Sequence, residues 1–163
     1  SGWGDPMALP DAGARGLTAL GWGEPFLGSF HGHAAIGRRP GRVTAEDRGL
    51  YLVATGETEL RASVSGRFRF DSGDDPAAYP AVGDWVAVDE REDGATIHAV
   101  LPRRSAFSRL AAGKETRAQV VGANVDVVFI VTSLNRDFNV RRLERYLALV
   151  HGSGVRPVSS WSE

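Results

Sequence analysis

Cysteine is absent from the 163 residues, and that excludes disulfides, thiolate-ligated zinc, iron–sulfur clusters and any cysteine nucleophile together. The same absence fits an intracellular compartment. Long apolar runs are missing too. The longest, Val125 to Thr132 with Asp126 inside it, falls well short of the roughly 20 residues a membrane-spanning helix needs, which predicts a soluble chain with no membrane partner. The N-terminus lacks the basic stretch, apolar run and small-residue cleavage site of a secretory signal, so the cytoplasm is the expected location. Methionine occurs once, at Met7, and the residues ahead of it, Ser1 to Pro6, are left out of the fold reading. Lysine is nearly absent: eighteen of the nineteen basic residues are Arg, whose planar fork suits bidentate phosphate contact.

What is present is ordinary for a globular protein, with 42% hydrophobic and 24% charged residues. The length fits one domain of common size, or a small domain plus part of another. The net charge of −1 hides an asymmetry. Through Val100 there are 9 Arg against 15 acidic residues, and from Leu101 onward 9 Arg and 1 Lys against 5. Opposite charge in the two halves is a signature of a polyanionic partner, and equally of a basic solvated face balancing an acidic neighbour.

From Arg42 onward, segments rich in Val, Leu, Tyr and Phe recur between Gly, Asp and Pro: 42–46, 50–55, 59–70, 84–88 and 96–101. This spacing predicts an all-β barrel or sandwich. In the third segment Val64, Gly66, Phe68 and Phe70 alternate with Ser65, Arg67 and Arg69, which reads as a strand with one buried and one charged face. The acidic stretch Asp89 to Gly94 reads as a hairpin turn. Five strands in so short a span suit the oligonucleotide/oligosaccharide-binding (OB) barrel, with an SH3-like barrel as the alternative. Ahead of it, Leu17 to Phe30 carries a short apolar group and His31 to Gly41 reads as a flexible connection.

Beyond Pro102, Arg103 to Arg117 shows no periodicity but carries Arg103, Arg104, Arg109, Lys114 and Arg117 against Glu115 alone. The run Val125 to Val131 has the form of a central strand covered on both faces. Asn139 then caps a predicted helix with Leu143, Tyr146, Leu147 and Val150 at i, i+3, i+4 and i+7. A strand and helix call for a further parallel strand, but Ser159-Ser160-Trp161-Ser162-Glu163 follows, so the expectation is an α/β domain opened and left incomplete. The expected fold class is therefore mainly β, a five-stranded OB barrel followed by the first β-α unit of an incomplete α/β domain. The expected organisation is an N-terminal segment (1–38), the barrel (39–102), a basic connector (103–117) and the start of the second domain (118–163).

Catalytic motifs are scarce. Ala111 to Thr116 contains a Gly-Lys pair, but a phosphate-binding loop needs Gly where Ser108 stands and Ser or Thr where Glu115 stands. His31, His33, His98 and His151 form no ligand set, and no Gly-x-Ser-x-Gly elbow occurs. Pro80 to Val88 reads as a structural turn feeding a strand. The candidate binding residues are the cations Arg67, Arg69, Arg103, Arg104, Arg109, Lys114 and Arg117 for RNA phosphates, with Phe68, Phe70, Phe107 or Trp85 available for stacking wherever exposed.

Six segments in order carry a resemblance: Pro40-Gly-Arg-Val43, Val64-Ser-Gly-Arg67, Val82-Gly-Asp-Trp-Val86, Leu101-Pro-Arg-Arg-Ser105, Ala123-Asn-Val-Asp126, and Asp137-Phe-Asn139 with Leu143-Glu-Arg-Tyr-Leu147. Together they resemble the ribosome small subunit-dependent GTPase A family from about Leu17 to Pro157. The resemblance implies an N-terminal OB domain, a circularly permuted GTPase domain with Asn-Lys-x-Asp ahead of its phosphate loop, and a zinc-binding C-terminal domain. It further implies a monomeric, cytoplasmic protein that acts late in 30S subunit maturation, binds 16S rRNA, and uses GTP, magnesium and zinc at full length. This sequence departs from that pattern after Val158, with no Asn-Lys-x-Asp, no phosphate loop and no zinc-ligand cysteines. The chain alone is therefore expected to bind none of these cofactors and to be inactive as a GTPase, contributing rRNA contact as the N-terminal part of a longer protein. The alternative is a stand-alone OB module for a protein or peptide partner.

Overall fold

Five strands, β1 (Arg39–Asp47), β2 (Leu50–Ala54), β3 (Glu59–Val64), β4 (Trp85–Arg91) and β5 (Gly94–Val100), close into a barrel of order β1-β2-β3-β5-β4. The computed structural model describes residues 11–111, 117–133, 139–153 and 156–162. β1, β2 and β3 form an antiparallel meander, β5 lies parallel to β3, and β4 closes the ring by pairing with both β5 and β1, Arg42 facing Trp85. The interior is filled by Val43, Tyr51, Val53, Val64, Val86, Val88 and Ile97, as a barrel of this size requires. β4 is buried on both sides: Val86 and Val88 point into the barrel, while Trp85 and Ala87 point outward beneath a helical layer.

That layer is α1 (Asp11–Ala19) and α2 (Glu24–Ala35). Phe26, Phe30 and Ala34, one turn apart, form its buried stripe. With Leu17 and Trp22 they pack on Trp85, the Trp22 and Trp85 rings meeting edge-on at 4.8 Å. The connection expected over His31 to Gly41 is thus the last turns of α2 and the start of β1, because the stripe continues through Ala34.

The strand expected through Phe70 ends at Val64, and α3 (Gly66–Ser72) follows. Ser65 turns the chain: it is extended (φ −65°, ψ 157°) and its Oγ accepts from the Phe68 N–H at 3.0 Å, the bond that starts a helix. The alternation of Phe and Arg imitated a strand period across a helical turn. A 3-10 turn, Pro76–Ala78, leads from α3 toward β4, and the acidic β4–β5 turn forms the expected hairpin, Arg91 facing Gly94.

The basic connector is also structured. β6 (Ala106–Ala111) pairs antiparallel with β7 (Arg117–Ala123), so a hairpin straddles the boundary expected between 117 and 118. Then β8 (Val127–Ser133), α4 (Val140–Gly152) and β9 (Arg156–Ser162) form a β-α-β unit, with Ile130 opposite Ser159 in a parallel pair. The further parallel strand is present after all, made by the serine-rich stretch, because backbone pairing does not depend on apolar side chains. α4 is capped as expected, the Asn139 side chain accepting from the Arg142 N–H. Its inner face carries Val150, Leu143 and Leu147, which join Phe107 and Ile130, whereas Tyr146 is exposed. β8 is covered on one face only: Phe129 and Val131 are 68% and 69% exposed.

Candidate nucleic-acid interface

Arg103, expected at a phosphate, is instead committed to the fold. Its Nε and Nη2 donate to the two oxygens of Asp84, both at 2.8 Å. Its Nη1 donates to the Ala77 carbonyl and Nη2 also to that of Tyr79. Asp84 is fully buried and accepts in addition from the Ala81 N–H at 2.7 Å. A buried carboxylate is tolerated only when so paired, and this fork ties the segment 77–84 to the end of the barrel.

A second arginine with such a role escaped sequence reasoning. Arg42 donates from Nη1 to the Leu20 carbonyl, from Nε to that of Gly83 at 3.1 Å and from Nη2 to that of Asn124 at 2.8 Å. It thereby joins the α1–α2 layer, the barrel and the β6–β7 hairpin, with its guanidinium 5.8 Å from the centre of the Trp85 ring. Burial lowers its pKa first, and the neighbouring charges of Asp126 and Asp84 raise it in opposition. Strand alternation marks Arg42 as outward-facing, but no local signal says that other elements lie over it.

Asn124 completes the junction. Its backbone is left-handed (φ 53°), its Nδ2 donates to the Gly83 carbonyl, and its Oδ1 accepts from the Arg104 N–H at 2.8 Å. Gly83 must be glycine: φ is +93°, and a Cβ there would lie 2.0 Å from the Ala123 carbonyl oxygen. The structural reading of Val82-Gly-Asp-Trp is what the geometry shows.

The remaining cations divide by exposure. Arg67 and Arg69 project into solvent from α3, Arg67 within 3.5 Å of Asp71. Arg104 is half exposed, 3.9 Å from Asp126. Arg109, exposed on β6, borders a groove of about 560 Å³ between the hairpin and the barrel, whose lining includes Gly73 and Asp74 just past α3. The structure thus brings Arg109 toward the C-terminal end of α3 and separates Arg103 from the set. Lys114 lies outside the described residues, and Arg117 opens β7. The groove also presents Glu46, Tyr51 and Tyr79. Burial, then Glu46, raises the Tyr51 pKa, keeping its phenol neutral. Among the described residues no three His, Asp or Glu side chains converge as a metal site.

The family profile described as RsgA GTPase matches residues 100–160. The small ribosomal subunit biogenesis GTPase RsgA of Opitutus terrae is 43% identical over 152 residues, covering 87% of this chain and 41% of that protein. Its counterpart in Syntrophotalea carbinolica is 42% identical, with the same coverage of each chain. The crystal structures of YloQ, a circularly permuted GTPase, and of YjeQ from Thermotoga maritima are each 21% identical, cover 76% of this chain and have TM-scores of 0.56 and 0.57. They cover 40% and 41% of those chains respectively and show the fold. The chain spans about two-fifths of the length of the curated relatives it matches. With the ordered motifs, the closed barrel and the hairpin-β-α-β unit all in place, this chain belongs to the RsgA family of ribosome small subunit-dependent GTPases.

Proposed function

We propose that this chain is the barrel-bearing N-terminal part of a cytoplasmic, monomeric GTPase of late 30S subunit maturation, and that it contributes contact with 16S rRNA. The observation that carries the reading is the solvent-facing set Arg67, Arg69 and Arg109 on α3 and β6, in a chain whose relatives are named for biogenesis of the small ribosomal subunit. Exposed arginines attract a phosphate backbone and release its counterions, whereas Arg103 is already fully engaged. Arg104 adds a weaker contribution from the Asn124 corner, and Lys114 and Arg117 complete the proposed set by their charge. Guanine reading, phosphate cradling and magnesium binding belong to segments whose motifs this sequence does not contain, so the chain supplies the binding part of the activity and no hydrolytic step.

A mixed-charge groove with Glu46 and Asp74 on its walls favours a second reading, an OB module for a protein or peptide. Co-sedimentation of the purified chain with 30S and with 50S subunits separates the two. The rRNA reading expects 30S-selective binding that weakens steeply with salt and ignores added GTP. Absence of binding at low salt, or equal binding to both subunits, contradicts it.

A further inference from the structure

Of the four aromatic side chains that the sequence offers for stacking beside the candidate cations, Phe68, Phe70, Phe107 and Trp85, the fold consumes three. Trp85 is fully buried under α2, Phe107 is buried against Ile130 and Val150, and Phe68 turns inward to meet Tyr79 edge-on at 5.8 Å. Phe70 is 86% exposed, the most exposed large apolar side chain among the described residues. Helical geometry explains the difference. At 3.6 residues per turn, Phe70 points roughly 160° away from Phe68, with Arg67 and Arg69 flanking it on either side. Had the strand continued, both rings would share one face.

We infer that Phe70, between Arg67 and Arg69 on α3, is a stacking platform for an unpaired base of RNA. An aromatic face takes any base by stacking, and flanking guanidinium groups hold the adjoining phosphates and extend the stacked surface. The Arg67–Asp71 pair is solvent-exposed and 3.5 Å long, so a phosphate replaces the carboxylate at little cost in stability. α3 carries two arginines and one acid, which complements a polyanion better than a neutral protein surface. Free aromatic face and flanking positive charge together select single-stranded nucleic acid as the occupant. The inference rests on the proposed rRNA contact and assigns it a specific residue and a specific element of RNA structure.

The test compares the unmodified chain with Phe70→Leu, Phe70→Trp and the double variant Arg67→Ala/Arg69→Ala, binding 30S subunits and protein-free 16S rRNA across a salt series. Phe70→Leu keeps apolar bulk and loses the π face. It is expected to weaken binding to both probes by about five- to fiftyfold with an unchanged salt slope, whereas Phe70→Trp retains affinity. The double Arg variant lowers the slope by about 1.4 to 1.8. Unfolding midpoints of the Phe70 variants should match the parent, since the site is exposed. Unaltered affinity of Phe70→Leu, in a parent that binds with normal salt dependence, overturns the stacking site and leaves the rRNA reading standing. Weakening on subunits but not on rRNA assigns Phe70 to a ribosomal protein and also overturns it. No binding of the parent to either probe overturns both readings.

Discussion

Two arginines of identical chemistry, Arg67 and Arg103, have opposite jobs, and a stability measurement separates them. Arg103 satisfies a fully buried Asp84 through two bonds. Replacing it with Ala strands that carboxylate, and a loss of about 3–5 kcal/mol is expected in denaturant unfolding. Arg67→Ala should change stability by less than about 0.5 kcal/mol while weakening RNA binding. His33 offers a second contrast. Its pKa is lowered, first by burial and then by the charges of Arg38 and His98, and Arg38 Nη1 lies 3.0 Å from its Nδ1. The unfolded chain therefore takes up the proton at higher pH than the folded one. Stability attributable to His33 is fully present above its ordinary value of about 6.5 and declines as pH falls from there to the lowered folded value. Thermal unfolding at pH 7.5 and 5.5 should show a smaller acid loss for His33→Gln than for the parent; an equal loss would show that His33 does not contribute.

The junction built by Arg42, Gly83 and Asn124 sets how the hairpin sits on the barrel. Arg42→Ala removes three bonds from one guanidinium to carbonyls of three separate elements. A destabilisation of about 2 kcal/mol is expected, together with faster proteolysis within β6 and β7 than within β1 to β5. Uniform cleavage of both would contradict a joining role. Such cross-chain work is what the sequence shows least. The barrel strands, the β4–β5 turn and the Asn139 cap were legible because period, turn chemistry and capping are local. α3 reads as a strand in the sequence because Phe68 and Phe70, two residues apart, follow the strand period, and only the Ser65 cap marks the helical turn. β9 was hidden because Ser159 and Ser160 carry no apolar pattern, while its partner β8 supplies the pairing. At the candidate site the cations were visible, but their exposure was not, since Arg103 and Arg67 are chemically the same residue until Asp84 is placed.

Across the molecule, stability is unevenly spread. The barrel and helical layer bury two large apolar clusters, including Trp85, Phe26, Val53 and Ile97, whereas the β-α-β unit has Phe107, Ile130 and Val150 as its buried centre and leaves Phe129 uncovered. Fewer buried contacts mean cheaper local opening, so amides of β8 and α4 should exchange with solvent faster than those of β2, β4 and β5. Equal protection throughout would show that the two parts unfold as one. Binding is assigned to the exposed cations beside the more stable part, and its most direct test is the dependence of 30S affinity on salt. Log affinity should fall linearly with log salt concentration, identically with and without GTP, and Arg67→Ala/Arg69→Ala/Arg109→Ala should reduce the slope by about 2 to 3. A slope untouched by the triple variant, or no binding by the parent chain at low salt, would contradict the assignment.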